Sequence, residues 1–391
     1  MNAAWDEAER GERRCVPHVG RGFADRMASA DVEGERVSSK NARTALPLWG
    51  NEVWLTSGQR RFIGIVASIA VIGFLITWVL TLTPWPSAMA IRAVFEQGGT
   101  ATAAEMDEHV PDVALTEQLG VPVDGEAADA GMTFDVFSPE DGDEPLPTVV
   151  WVHGGAWISG DSTNVDPYLR ILAAEGYTTV GLNYTLGPEG VYPLAVHQLN
   201  DALETLDDRA DEFRIDPDRI VLAGDSAGAQ LASQLAALST NPDYARLLSI
   251  DPALNAEQIV GVVLNCGVYD LDAMSELTGV GAWGLKVALW GYTGTKDWSQ
   301  ESSGTTMSTI DFVTSEFPAT YISGGNGDAL TWIQSLPMKD RLDELGVDVT
   351  SLLWPADHEP ALPHEYQFHL DSEEAQAALV ETLEFLAAVT D

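Results

Sequence analysis

A serine between two glycines is the first feature of this 391-residue chain that could do chemistry. The sequence GDSAG at 224–228 follows the apolar run RIVLA at 219–223 and precedes a stretch with helical periodicity. A G-x-S-x-G turn between a strand and a helix is so sharp that side chains at the flanking positions would clash with the backbone. The turn lifts the serine oxygen clear of the sheet and places it at a helix N-terminus. The pattern predicts that Ser226 is a nucleophile; the alternative is a glycine-rich turn with an incidental serine.

A second glycine-rich sequence, HGGAW at 153–157, follows the apolar run Thr148–Val152. Small residues after a strand allow backbone N–H groups to turn toward a developing oxyanion. Alone, this sequence would fit an ordinary strand-to-loop turn. In a chain that also carries the serine turn, it predicts an oxyanion-binding loop.

The elements that must position these motifs are short apolar runs that alternate with helical stretches from about residue 131. This alternation predicts a mostly parallel sheet with helices on both faces. The predicted strands are Met132–Phe137, Thr148–Val152, Thr178–Asn183, Arg219–Ala223, Ile259–Leu264, Ala319–Ser323 and Val347–Leu353. The predicted helices are Pro167–Glu175, Leu194–Arg209, Ala227–Leu238, Met338–Leu345 and Glu373–Ala388. The stretch 268–316 breaks the alternation, and its length predicts a cap or lid insertion.

The motifs occur in a fixed order: HGGAW, then Asn183-Tyr184, then Tyr192-Pro193, then GDSAG. In this order they resemble the α/β-hydrolase superfamily, and most closely its hormone-sensitive-lipase-like esterases, over roughly residues 131–390. The resemblance implies an α/β-hydrolase fold and acyl-ester chemistry, and it says little about the substrate. One departure is Ala156, where that family usually has a third glycine. Because the oxyanion donor is a backbone N–H, an alanine is expected to be tolerated.

The fold implied by the resemblance carries its triad in the chain order Ser, then Asp or Glu, then His. Asp328 is the one carboxylate in the loop GGNGDAL at 324–330, which follows the predicted strand Ala319–Ser323. It resembles the family's Asp-x-Leu acid motif and is the predicted acid. Asp270 and Asp272, which follow the preceding predicted strand, are the reserve candidates.

Three histidines follow the predicted acid: His358, His364 and His369. His364 stands in LPHEYQF at 362–368, which resembles the family's Pro-His-x-Phe-Gln stretch, and it is the predicted base. His358 and His369 remain alternatives. His153 precedes the acid, so it is expected to orient the oxyanion loop through hydrogen bonds.

These parts predict the mechanism of a serine hydrolase. His364 would take the Ser226 proton as the oxygen attacks an ester carbonyl, and Asp328 would stabilise the imidazolium. The predicted oxyanion hole consists of three backbone N–H groups, those of Gly155, Ala156 and Ala227. Gly154 is a less certain donor. The mechanism needs no metal ion and no organic cofactor.

The chain carries 60 acidic and 20 basic side chains, a net charge of −40. Such a charge argues against nucleic-acid binding, because phosphate contacts need basic residues. The charge is uneven: residues 1–61 hold ten basic and nine acidic side chains, whereas 62–391 hold ten basic and fifty-one acidic ones. An acidic surface of this kind would keep an exported domain soluble.

The boundary between these two regions is Phe62–Leu82, an apolar segment of 21 residues. As a helix it would be about 31 Å long, close to the thickness of the hydrocarbon core of a bilayer. Arg60 and Arg61 at its start predict a cytoplasmic N-terminus and an extracytoplasmic catalytic domain in the cell membrane. The alternatives are a buried core helix and a signal peptide cleaved near Ala88-Met89-Ala90.

The predicted organisation is a flexible cytoplasmic tail at 1–61, a transmembrane helix at 62–82, a linker with an uncertain helix at 83–130, and an α/β-hydrolase domain at 131–391. The predicted function is a membrane-anchored serine carboxylesterase that acts on a small-molecule or lipid ester. Two alternatives remain: a serine peptidase of the same fold, and a non-catalytic binding protein that keeps the fold.

Overall fold

The computed structural model describes residues 46–48, 51–53 and 55–391, and it divides into two compact units with the boundary after Ala70. In the first unit, β1 (Leu46–Leu48) and β2 (Asn51–Val53) pair as an antiparallel hairpin. A long helix begins in this unit at Ser57. Most of the predicted cytoplasmic tail lies outside the described residues.

The long helix α1 (Ser57–Leu82) contains the whole predicted transmembrane segment. None of its residues is buried, and its apolar side chains are exposed along its length, as Phe62 and Phe74 illustrate. This exposure does not fit the alternative of a buried core helix. Among the described helices, α1 is the one that is long and apolar enough to cross a membrane.

The second unit is built around one eight-stranded sheet. Its strands are β3 (Leu115–Pro122), β4 (Thr133–Pro139), β5 (Leu146–Val152), β6 (Thr178–Leu182), β7 (Ile215–Asp225), β8 (Ile259–Asn265), β9 (Ala319–Gly324) and β10 (Val349–Leu353). The order across the sheet is β10-β9-β8-β7-β5-β6-β4-β3. Strands β5 to β10 pair in parallel, whereas β4 is antiparallel to both β6 and β3. The predicted mostly parallel sheet is therefore confirmed.

Helices cover both faces of the sheet because alternate side chains of each strand point to opposite sides. In β5, Val150 and Val152 belong to the core on one face, and Val149 and Trp151 belong to the core on the other. The helices that follow α1 are α2 (Trp85–Asp107), α3 (Glu126–Asp129), α4 (Asp166–Ala174), α5 (Leu194–Asp208), α6 (Ala210–Phe213), α7 (Ala227–Thr240), α8 (Pro242–Leu248), α9 (Leu271–Ser275), α10 (Val280–Thr293), α11 (Ser302–Met307), α12 (Leu336–Leu345) and α13 (Glu373–Thr390). The five predicted helices correspond to α4, α5, α7, α12 and α13.

Residues 83–130 differ from their interpretation as a linker with an uncertain helix. They contain the full-length helix α2 and the edge strand β3, which extends the sheet beside β4. Arg92 of α2 donates hydrogen bonds to the carbonyl oxygens of Ile158 and Gly187 and makes a two-pronged contact with the carboxylate of Glu189. This helix is therefore docked on the same unit as the sheet.

The insertion at 268–316 lies between β8 and β9 and folds into α9, α10, α11 and short single turns. Helix α10 packs against the start of α2 and the loop that follows β5. Val287 and Ala288 of α10 form a small buried cluster with Ala88, Ala156 and Ile158. The insertion thus contacts the loop that the sequence predicts to bind an oxyanion.

Candidate active site

Ser226 occupies a strained turn between the end of β7 and the start of α7. Its φ is +52°, a left-handed value that a non-glycine residue adopts only when the surroundings enforce it. A Cβ on Gly224 would lie 2.4 Å from the backbone of Gly228, and a Cβ on Gly228 would lie 1.9 Å from the Val152 carbonyl oxygen. Both glycines are therefore needed for close backbone approach, as the sequence pattern indicates.

His364 and Asp328 lie beside this serine in one chain of hydrogen bonds. The Nε2 atom of His364 is 2.9 Å from Ser226 Oγ, and its Nδ1 atom is 2.6 Å from Asp328 Oδ2. The other carboxylate oxygen, Asp328 Oδ1, accepts the Leu330 N–H at 2.9 Å, which fixes the orientation of the carboxylate. The three residues predicted from the sequence thus meet at the carboxyl ends of β7 and β9, although His364 is 138 residues from Ser226.

The acid loop (residues 325–330) and the histidine loop (residues 354–365) are tied together by backbone and side-chain hydrogen bonds. Asn326 accepts the Leu362 N–H at 2.9 Å and donates to the His358 carbonyl oxygen at 2.8 Å. The Gly327 N–H donates to the Leu362 carbonyl oxygen at 2.9 Å, and a Cβ on Gly325 would lie 2.5 Å from that oxygen. Sequence reasoning missed Asn326; its signal was a polar side chain placed between two glycines beside the predicted acid.

The alternative acid and base candidates make hydrogen bonds with residues other than Ser226. His358 Nε2 is 3.1 Å from Glu374 Oε1 and His369 Nδ1 is 3.1 Å from Glu105 Oε2, so both pair with acidic side chains. Asp270 accepts the Ala273 N–H and caps α9, and Asp272 is exposed in the first turn of that helix. None of these four residues is brought to Ser226. Within the described residues, no group of three potential ligands could hold a metal ion.

The loop after β5 turns its backbone through three consecutive left-handed residues: φ is +99° at Gly155, +53° at Ala156 and +59° at Trp157. The N–H groups of Gly155 and Ala156, like that of Ala227 at the start of α7, have no protein acceptor in the described part of the chain. They are therefore available to a ligand. The Gly154 N–H differs, because Gly154 lies directly against the buried carboxylate of Asp225.

His153 is buried at the start of this loop and holds its backbone. Its Nδ1 atom is 2.8 Å from the Gly154 carbonyl oxygen, and its ring stacks on Tyr184 with the centroids 4.5 Å apart. The Tyr184 hydroxyl donates to the His153 carbonyl oxygen at 3.2 Å. Burial lowers the pKa of His153 to about 4, so the ring is neutral at physiological pH. The contacts agree with the orienting role expected from the sequence.

Two neighbouring acidic side chains, Asp225 and Glu365, lie beside the Ser226 turn, and the sequence analysis did not predict them. Asp225 is buried and accepts the Trp151 indole N–H at 2.8 Å, and its carboxylate lies against Gly154. Burial raises the pKa of Asp225 well above its usual range, and the nearby carboxyl group of Glu365 raises it further. Glu365 directly follows the candidate base, and its Oε1 is 3.8 Å from His364 Nε2. This pair therefore lies against the loop that follows β5 and beside the imidazole.

Opposing influences act on the pKa of His364. Burial disfavours the charged imidazolium, but the neighbouring Cys266 sulfur and the hydrogen-bonded Asp328 carboxylate outweigh it, so the pKa lies well above its usual range. Burial also raises the pKa of the Cys266 thiol. The Asp328 carboxylate is the hydrogen-bonded partner of the imidazole, 2.6 Å from Nδ1.

A model of the BD-FAE family matches residues 134–342, slightly more than half of the chain. The chain belongs to the BD-FAE family. The matched range includes Ser226 and Asp328 and ends before His364.

Solved structures with the fold of this BD-FAE family member include several esterases. Esterase B from Lactobacillus rhamnosis aligns at 22% identity with a TM-score of 0.66, over 78% of this chain and 96% of that one. A bacterial heroin esterase aligns at 21% identity and a TM-score of 0.59, over 77% and 91% of the two chains. Esterase LipW from Mycobacterium marinum aligns at 23% identity and a TM-score of 0.60, over 78% and 90%.

For this BD-FAE family member, two of the expectations from sequence are confirmed by the comparisons. The resemblance to α/β-hydrolase esterases and the α/β-hydrolase fold are both found. The neighbours named above share this fold and are themselves esterases.

Proposed function

We propose that this chain is a membrane-anchored serine carboxylesterase that forms an acyl-enzyme on Ser226. The observation that carries the proposal is the continuous hydrogen-bond chain from Asp328 through His364 to Ser226, with separations of 2.6 and 2.9 Å. A nucleophile, a base and an orienting acid at hydrogen-bond distance are the parts that acyl transfer requires.

In the first half-reaction, His364 Nε2 removes the Ser226 proton while Oγ attacks the ester carbonyl carbon. Asp328 keeps the imidazole proton on Nδ1, so that Nε2 is free to accept the new one. The imidazolium then gives its proton to the leaving alcohol. Water attacks the acyl-enzyme with the same base, and the acid product leaves.

The proposed oxyanion hole is formed by the N–H groups of Gly155, Ala156 and Ala227. Its support is that these donors have no protein acceptor in the described residues, whereas Gly154 lies directly against the Asp225 carboxylate. Loss of one preorganised donor typically costs about 3 to 4 kcal/mol in the barrier. Ala156 can stand in place of a third glycine because the donor is a backbone N–H, although its φ of +53° is one that a residue with a Cβ adopts only when the surroundings enforce it.

The proposed anchor is α1, and the proposed orientation places the catalytic domain outside the cytoplasm. Support comes from the full exposure of an apolar helix of 26 residues and from Arg60 and Arg61 near its start. The insertion at 268–316 is proposed to cap the acyl pocket, because Val287 belongs to the same buried cluster as Ala156 of the proposed oxyanion loop.

The test is active-site labelling of the full-length protein in detergent. A fluorophosphonate should label Ser226, and the Ser226→Ala variant should lose both labelling and hydrolysis of p-nitrophenyl esters without losing its folded structure. Ser315→Ala, at an exposed loop serine, is the matched control and should remain fully active. A Ser226→Ala enzyme that retains hydrolysis would refute the assignment. Resistance of the full-length protein to carbonate extraction, lost when 57–82 is deleted, tests the anchor.

A further inference from the structure

A cavity of about 770 Å³ lies between the C-terminal end of α1 and the insertion at 268–316. Its walls are mainly apolar, with Leu80 from α1 and Leu277, Trp283 and Trp290 from the insertion; Thr77 of α1 also lines it. Its volume is in the range of cavities that hold small organic ligands. Ser226 is not among the lining residues, so the cavity is separate from the nucleophile.

Two lysines line this cavity in a domain where basic residues are scarce. Residues 62–391 contain ten basic side chains, of which only three are lysines, and Lys286 and Lys296 are two of those three. Seven of the ten basic groups are within ion-pair distance of a carboxylate, and Arg214 donates to backbone carbonyls. In the part of the chain that the structure describes, Lys286 and Lys296 have no carboxylate partner, although residues 62–391 carry fifty-one acidic side chains.

The ammonium groups of Lys286 and Lys296 are each held by a protein contact and still have N–H donors available for a ligand. Lys286 Nζ donates to the Ser275 carbonyl oxygen at 2.7 Å. Lys296 Nζ donates to the Thr81 carbonyl oxygen at the end of α1 and lies 4.1 Å from the ring centroid of Trp290. Because an ammonium group has three N–H donors, each lysine retains two for a ligand. The cavity therefore combines an apolar interior with two cationic groups that no protein anion neutralises.

The chemistry of this combination matches an amphiphile with a negative head group. Apolar walls alone would suit a neutral acyl chain, and two lysines alone would suit a soluble anion. The position of the cavity decides between them, because Thr77 and Leu80 belong to the last two turns of α1, where the proposed membrane span ends. Tryptophan is enriched at this boundary between hydrocarbon and head groups, and a lysine near the end of a membrane span can extend its ammonium group to it.

We propose that this cavity binds one anionic phospholipid of the outer leaflet, with an acyl chain against Trp283 and Trp290 and the phosphate on Lys286 and Lys296. The proposal rests on the membrane-anchored part of the proposed function and is independent of the chemistry at Ser226. The bound lipid would join the end of α1 to α10, whose Val287 packs on Ala156 of the oxyanion loop.

The experiment is native mass spectrometry of the full-length protein, released from detergent with added 1-palmitoyl-2-oleoyl-phosphatidylglycerol. Parallel samples contain the matching phosphatidylcholine or inorganic phosphate. The wild type should retain one phosphatidylglycerol in preference to phosphatidylcholine. The Lys286→Gln/Lys296→Gln variant should bind it about thirtyfold more weakly, because each lysine near an anionic lipid contributes roughly a fivefold gain. Lys339→Gln is the control, since that lysine pairs with Asp343 on the surface and should not change binding.

The outcomes separate this proposal from the proposed esterase activity. Equal retention of phosphatidylglycerol by the double variant and the wild type, or no retained lipid at all, would overturn the site. Binding of inorganic phosphate that displaces the lipid would show an anion site in its place. Hydrolysis of p-nitrophenyl acetate, measured on the same samples, verifies that the double variant is folded. Ser226→Ala should lose that hydrolysis and still retain the lipid.

Discussion

Replacement of Asp328 by asparagine tests the proposed triad at a single atom. One carboxylate oxygen accepts the Leu330 N–H at 2.9 Å, and the other faces His364 Nδ1 at 2.6 Å. Asparagine offers one acceptor and one donor in the same shape. Because the Leu330 N–H needs the acceptor, the amide NH₂ must face Nδ1. Nδ1 can then no longer carry its proton, which moves to Nε2.

The consequence for catalysis follows from the 2.9 Å contact between His364 Nε2 and Ser226 Oγ. A protonated Nε2 cannot accept the serine proton, so the base is present in the wrong tautomer. Loss of the correct tautomer in a Ser-His-Asp site lowers kcat by about 10⁴-fold. This corresponds to about 5 kcal/mol in the barrier. The fold should be unaffected, because the substitution preserves shape and the bond to the Leu330 N–H.

The assay is steady-state hydrolysis of p-nitrophenyl acetate by the full-length protein, with thermal unfolding measured on the same preparation. Asp270→Asn is the matched control. Asp270 caps α9 by accepting the Ala273 N–H at 3.0 Å, a bond that asparagine can also accept, so kcat should stay within about twofold of the wild type. An Asp328→Asn enzyme that kept more than a tenth of the wild-type kcat would refute the reasoning. So would an equal loss in Asp270→Asn.

Three further predictions follow from contacts in and beside the site. As the proposed base, His364 must be neutral to accept a proton. Its pKa is raised, so kcat/KM should fall on acidification through a pKa above 6.5; an inflection below that value would contradict the assignment. Gly228→Ala would place a methyl group 1.9 Å from the Val152 carbonyl oxygen. It should lower the free energy of unfolding, measured in urea, by more than about 3 kcal/mol. The control is Gly98→Ala in α2, where the space is open and the substitution should be neutral or stabilising. Asn326→Leu removes two hydrogen bonds to the histidine loop and should lower kcat by up to about thirtyfold with little change in KM; an unchanged kcat would show that the loops hold their positions without it.

The strands that carry the site could be predicted because they are buried on both faces and read as short apolar runs. All seven predicted strands are present, with ends that differ by at most four residues. Strand β3 was missed for the converse reason. It lies at the sheet edge and five of its eight residues are exposed, so Leu115–Pro122 carries no continuous apolar run. Because β3 is buried on one face only, its hydropathy pattern is too weak to stand out from the Ala-rich and acidic stretch that precedes it.

How well a site residue could be predicted depends on whether its partners are close to it in the sequence. Ser226 could be predicted because its requirement, two glycines around a sharp turn, is written within five residues. Asp328 and His364 needed the chain order implied by the family resemblance. Asn326 and the Asp225–Glu365 pair act through partners brought close only by the folded loops, 32 residues or more away for Asn326. Arg92 is the extreme case, because its partners lie 66 to 97 residues further along the chain.

The docking of α2 also determines how such an enzyme would meet its substrate. Only Thr83 and Pro84 separate α1 from α2, and Arg92 then ties α2 to Gly187 and Glu189. A long flexible linker would let an anchored enzyme reach substrates at many heights above the membrane. The linker here is two residues long and does not allow such movement. The catalyst would instead stay at one height, and its encounters with esters on neighbouring surface molecules would become a search in two dimensions. Turnover of such esters should then depend on their density at that height and on lateral diffusion, rather than on their bulk concentration.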